Sequence, residues 1–191
     1  MKQNKKIAVT GGIGSGKTLF CDILKSMGYK VYSCDEIYSE MLQETEYLSI
    51  LNAHFPDCFI GGSLDKKRLS ERVFLSVEDR KRLEELSHPV IMRRLLAKME
   101  AGETVFAEVP LLFEGGYEKL FDCVIALIRT KEERVKSVVK RSGLTEEEIL
   151  SRMQIQFDPA LLSQKNCIIV ENNGSQEDLT VKAKEIVKQL G

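Results

Sequence analysis

Residues 6–28 read KIAVTGGIGSGKTLFCDILKSMG. A mostly apolar, β-prone run, 6–10, with Ile7 and Val9 as its branched positions, leads into four glycines within six positions: Gly11, Gly12, Gly14 and Gly16. Lys17 and Thr18 come next. Leu19, Phe20, Ile23 and Leu24 then begin an amphipathic run that ends at Gly28. The spacing predicts a strand, a glycine loop and a helix, with Gly28 as a left-handed helix stop. That is the context required by the phosphate-loop pattern G-x-x-x-x-G-K-[ST].

The residue types follow from the chemistry of a polyphosphate, which needs many donors at short range. Glycines let successive backbone N–H groups turn inward, and the following helix brings its positive dipole end to the same place. Lys17 is long enough to reach the β- and γ-phosphates, and the Thr18 hydroxyl suits Mg²⁺. Gly12, Ile13, Gly14, Ser15, Gly16, Lys17 and Thr18 are therefore the expected nucleotide contacts. The plain alternative is a glycine turn before an ordinary helix.

The chain has 191 residues, 43% of them hydrophobic and 30% charged, with a net charge of −1. This balance fits one globular domain with an insertion. It offers no broad basic surface for nucleic acid. Five scattered cysteines, Cys21, Cys34, Cys58, Cys123 and Cys167, form no C-x-x-C pair and read as reduced thiols of a cytoplasmic protein. No cationic-then-apolar leader opens the chain, and the longest apolar run, 123–128, is too short to span a membrane.

Strand-like segments at 6–10, 29–33, 104–109, 123–129 and 167–171 alternate with helical ones. The pattern predicts an α/β fold: a three-layer parallel sheet of about five strands with helices on both faces. The stretch 36–101 is helical except near 54–65, where Pro56, Gly61 and Gly62 fall. It is too long for a single crossover and reads as a helical substrate-holding lobe. A second helical pair fills 131–156, with Thr145 and Glu148 spaced as a capping box. It stands where a phosphotransferase of this size would carry a lid. A last helix runs over 175–190, from Ser175 to Gly191.

No D-x-x-G or N-K-x-D occurs anywhere, which argues against a guanine-nucleotide switch. A small-molecule kinase fits the length, and such an enzyme needs an acid at the acceptor, a metal environment and cations for the transferring phosphoryl. Asp35, just past the second strand, could receive and orient an acceptor hydroxyl, or could serve as a helix-start acid. Glu108, ending a strand, could hold Mg²⁺ beside Thr18, or could be an ordinary strand-end charge. Arg134, Arg141 and Arg152 lie in the lid region, and guanidinium suits phosphate. His88, before Pro89, reads as a structural residue at a helix boundary.

Taken together, several stretches resemble the dephospho-CoA kinase family of P-loop kinases: VTGGIGSGKT at 9–18, GSLDKKRLSERVF at 62–74, LSHPVI at 86–91, PLLFE at 110–114, RSGLTEEEILSRMQIQ at 141–156 and ENNGS at 171–175. The resemblance implies a P-loop NTPase-type core at 1–58 and 103–191, a helical CoA-binding insertion at 59–102 and a lid within 131–156. It implies transfer of the ATP γ-phosphoryl to the ribose 3′-hydroxyl of dephospho-CoA, the last step of coenzyme A synthesis, with Mg²⁺ assisting. It places the acceptor-activating carboxylate at Asp35, a phosphate-clamping lid arginine at Arg141, and Asn172 and Gly174 near the adenine. The partner implied is this small-molecule substrate, with neither nucleic acid nor membrane. Where the family often has Asp-x-Asp after the second strand, this chain has Ser33-Cys34-Asp35. Glu171 and Cys167 stand where Asp is usual. Two other readings share the core: a nucleoside or nucleotide monophosphate kinase, and a non-catalytic nucleotide-binding module.

Overall fold

The computed structural model describes residues 4–100, 102–143 and 145–190. Leu144 of the expected lid, Ala101 near the end of the expected insertion, and the helix stop expected at Gly191 lie outside them. The chain forms two compact units: Met1–Ser33 with Met99–Gly191, and Cys34–Lys98.

In the first unit, β1 (Lys6–Gly11), β2 (Val31–Ser33), β5 (Val105–Glu108), β6 (Cys123–Ile128) and β7 (Ile168–Glu171) form one sheet in the order β2-β5-β1-β6-β7. Every pairing is parallel. The chain leaves β1 toward one side of the sheet and later returns to its other side. The end of β1 is thus a topological switch point, where α/β sheets open a crevice for ligands. Strand alternation sends Ile7, Val9, Phe106, Ile125 and Leu127 to one face, where they pack with Phe20, Ile23 and Leu24 of α1 (Lys17–Ser26) and Leu179, Ala183 and Ile186 of α8 (Gln176–Leu190). The five strands and the parallel α/β architecture match the sequence expectation.

β2 is shorter than expected at its start, for a local reason. The helix stop at Gly28 (φ +90°) is a complete Schellman motif: Gly28 N–H donates to Lys25 O at 2.9 Å and Tyr29 N–H to Leu24 O at 3.1 Å. Tyr29 is thereby committed to the helix end, and its ring meets Phe106 edge-on at 5.3 Å. The capping box at Thr145 and Glu148 forms as spaced and opens α7 (Glu146–Gln154), which follows α6 (Lys131–Ser142).

The second unit holds α2 (Cys34–Met41), α3 (Thr45–His54), a short hairpin of β3 (Phe59–Ile60) and β4 (Ser63–Leu64), α4 (Lys66–Leu75) and α5 (Val77–Lys98). It nearly coincides with the helical stretch 36–101 read as one lobe, and it is larger than the insertion at 59–102 implied by the family resemblance because α2 and α3 belong to it. α2 packs on α5, Arg94 of α5 grips Glu44 between α2 and α3 (Nη2–Oε2 2.7 Å), and Lys98 pairs with Glu40 at 2.9 Å. Tyr47 of α3 and Ser87 of α5 share a buried hydroxyl hydrogen bond of 2.7 Å. The break expected at 54–65 contains the hairpin, turned by Gly61 and Gly62 at φ +56° and +81°, the pair of positive values that a type I′ two-residue turn requires.

His88 does not mark a helix boundary. α5 runs unbroken through Pro89. Its next turns bury Ile91, Met92 and Leu95, and that burial outweighs the one hydrogen bond lost at a proline nitrogen. His88 itself is half-buried, which pushes its pKa down.

Candidate active site

At the C-terminal end of β1 the glycines turn the backbone into a loop that ends at the first residue of α1, Lys17. Gly14 and Gly16 have φ of +76° and +96°, a region costly for any residue with a Cβ. Space excludes other residues as well. A Cβ on Gly14 would lie 2.6 Å from the carbonyl oxygen of Arg134 in α6, and one on Gly16 would overlap the Asn172 amide. Gly14→Ala is therefore expected to cost about 1–3 kcal/mol, from backbone strain and lost helix packing. A drop in melting temperature of several degrees would show it.

Lys17 folds back over the loop. Its Nζ donates to Gly11 O at 2.7 Å and Gly12 O at 3.2 Å, which holds the ammonium beside the amides expected to meet phosphate. Thr18 Oγ1 donates to Glu108 Oε1 at 3.0 Å. Glu108 ends β5, in register with Val9 of β1, so the pairing of two strands brings together the two expected metal residues. Two adjacent oxygen donors suit Mg²⁺, which takes few protein ligands and fills its shell with water and phosphate. Among the described residues, no group of three or more His, Cys, Asp or Glu is arranged to hold a metal.

Asn172, 6% exposed, follows β7. Its Nδ2 donates to Ser15 O at 2.9 Å, so the side chain anchors the loop from the end of β7, two strands away from β1. Gly174 lies in the turn before α8, against the Asp178 carboxylate that caps that helix with Ser175.

The lid region contributes two groups that touch the loop. Arg134, 8% exposed, donates from Nε to Ile13 O at 2.7 Å and from Nη2 to Gln156 Oε1 at 3.0 Å. Gln156 Oε1 also accepts from Ile13 N–H at 2.8 Å. Burial lowers the pKa of Arg134. Arg141 instead lies exposed in the last turn of α6, and Arg152 is half-buried in the last turn of α7. Residue chemistry alone makes the three lid arginines alike, the family resemblance singles out Arg141, and nothing in the sequence reading sets Gln156 apart. Its one signal was its place at the end of the 141–156 stretch.

PLLFE ties down the chain beyond α7. Glu114 Oε1 accepts from Phe157 N–H at 2.8 Å, and the Phe113 and Phe157 rings lie 4.9 Å apart.

Asp35 sits in the first turn of α2, in the second unit, where it lines an open hollow with Glu36, Ser39, Glu40 and Gln43. The chain links it to the sheet: Ser33, two residues before it, ends β2 in register with Glu108.

The dephospho-CoA kinase family model matches residues 5–178. This chain belongs to that family. A dephospho-CoA kinase of Thermus thermophilus is 36% identical over 186 residues, 96% of this chain and 91% of the relative. The crystal structure of the Thermus thermophilus protein TT1252 superposes with a TM-score of 0.85 at 36% identity over the full length of both chains. A dephospho-CoA kinase from Campylobacter jejuni superposes with a TM-score of 0.70 at 30% identity, covering 97% of this chain and 96% of its own. Membership explains why the sequence landmarks run from the glycine loop to ENNGS. Three of them, the loop, the lid segment and PLLFE, are joined in the structure by Arg134, Gln156 and Phe157. Among the described residues no helix is long and apolar enough to cross a membrane.

Proposed function

We propose that this dephospho-CoA kinase family member binds ATP in the β1–α1 loop and moves its γ-phosphoryl to the ribose 3′-hydroxyl of dephospho-CoA, in the cytoplasm. The family match over residues 5–178 carries this reading, since the loop alone would serve many phosphotransferases. In the reaction the bond from the γ-phosphorus to the ADP oxygen breaks, a bond to the 3′-oxygen forms, and the hydroxyl proton leaves to a base.

The residues divide this work. Amides of residues 12–16 and the Lys17 ammonium take the β- and γ-phosphates and neutralise charge as the bond loosens. Thr18 and Glu108 would hold Mg²⁺, whose charge offsets that of the polyphosphate when bound. Their hydrogen bond is the observation that supports this pairing. Asp35 receives the hydroxyl proton and aims the oxygen for in-line attack. Its place just past β2 supports this role, because β2 runs parallel to β1 and ends at the same sheet edge as the loop. Arg141 meets the phosphates as the lid closes over them and excludes water. Asn172, just past β7, keeps the loop in shape through its hydrogen bond to Ser15 O.

The test is ADP release from ATP with and without dephospho-CoA, beside adenosine, AMP and CMP. Release should depend on dephospho-CoA and exceed that with the other acceptors at least tenfold. Preference for AMP or CMP would make this a nucleotide kinase, and ATP binding without acceptor-dependent release would make it a binding module.

A further inference from the structure

The peptide on either side of Ile13 is held at both poles by the lid region. Its carbonyl accepts from Arg134 Nε at 2.7 Å, and its N–H donates to Gln156 Oε1 at 2.8 Å. Gln156 Oε1 takes a second hydrogen bond, 3.0 Å long, from Arg134 Nη2. One neutral oxygen thus sits between a loop amide and a guanidinium. Those are the donors that a phosphate oxygen seeks at a glycine loop.

The surroundings argue for the same occupant. Arg134 is 8% exposed and pairs with no carboxylate among the described residues. A buried cation is stabilised only partly by an amide dipole and far more by an anion. Its guanidinium lies so close over Gly12 that a Cβ there would overlap Nη2, while Lys17 Nζ binds the Gly12 carbonyl at 3.2 Å. Two cations therefore converge on one glycine, with a neutral oxygen between the guanidinium and the loop amide. Phe157 holds the following backbone through Glu114 and the Phe113 ring, so Gln156 can vacate its place by a side-chain rotation alone.

We propose that Gln156 Oε1 stands in for a nucleotide phosphate oxygen, occupying Ile13 N–H and Arg134 Nη2 until nucleotide displaces it. Gln156 then sets how tightly the loop takes nucleotide, and Arg134 is a phosphate contact. This rests on the reading of the loop as a nucleotide site, but not on the identity of the acceptor.

The experiment is calorimetric titration of the full chain with ADP and Mg²⁺, and separately with inorganic pyrophosphate, for the wild type, Gln156→Met and Gln156→Glu. Thermal melts of each protein accompany the titrations. Gln156→Met removes the competing acceptor at similar side-chain length, so ADP and pyrophosphate should bind about three- to tenfold tighter, the weight of one net hydrogen bond. Gln156→Glu places a carboxylate on the same donors, so both ligands should bind at least about tenfold weaker. Unchanged affinity in both variants overturns the proposal. So does weaker binding by a normally folded Gln156→Met, which would make Gln156 a direct ligand. If the methionine variant does not fold, Gln156→Ala, which also removes the acceptor, takes its place with the same expected and overturning results. A wild type that binds neither ADP nor pyrophosphate would overturn the nucleotide reading itself. Binding by the wild type without any variant effect removes only the role given to Gln156.

Discussion

Lys17→Ala should lower kcat/KM for phosphoryl transfer about 10³-fold or more while leaving the fold intact. The ammonium is a point charge held beside the loop by the carbonyls of Gly11 and Gly12. In a loose phosphoryl-transfer transition state, charge spreads over the equatorial oxygens, and a preorganised cation there supplies several kcal/mol. No other side chain of the loop can replace it: Ser15 is buried and Thr18 is engaged with Glu108. Steady-state kinetics with ATP and dephospho-CoA provide the test, with circular dichroism as the folding control. Turnover within tenfold of wild type would remove the loop from the catalytic assignment.

Asp35→Asn should separate chemistry from nucleotide binding. The amide keeps the shape of the carboxylate but cannot take the proton of the acceptor hydroxyl. The expected fall in kcat is about 10²- to 10⁴-fold, the range of a lost general base. The Kd for ATP should stay within about threefold, because the loop, Lys17, Thr18 and Glu108 all belong to the first unit and Asp35 to the second. A variant that turns over dephospho-CoA within a few-fold of wild type would show that another group receives the proton. One that loses ATP binding in proportion to kcat would make Asp35 a nucleotide contact.

Local patterns made much of the core legible. The glycine loop, the Schellman stop at Gly28 and the Thr145–Glu148 capping box each depend on residues a few positions apart, and all three form as their spacing predicts. The hairpin at 59–64 is equally local: Gly61-Gly62, legible in the sequence as a break between helices, forms its turn. The helical unit, Cys34–Lys98, nearly coincides with the stretch 36–101 read as one lobe, but its internal packing was not legible. That packing depends on pairs such as Glu44 with Arg94 and Tyr47 with Ser87, separated by 50 and 40 positions, and no periodicity encodes them.

The candidate site divides along the same line. Thr18 and Glu108 were each readable as metal residues, but their meeting required the β1–β5 register. Arg134, Arg141 and Arg152 are chemically equivalent in the sequence. Packing of α6 against Gly14 buries the first and leaves the second in water. The chain's letters alone established a phosphate loop, a parallel α/β core and a family, because steric demands on glycine, strand alternation and helix caps act over a handful of residues. Folding in three dimensions assigned the partners: which arginine reaches the loop, which acid meets Thr18, and which amide oxygen waits on Ile13. Those outcomes follow from strand register and helix docking, and the free energy of packing settles both across the whole chain at once.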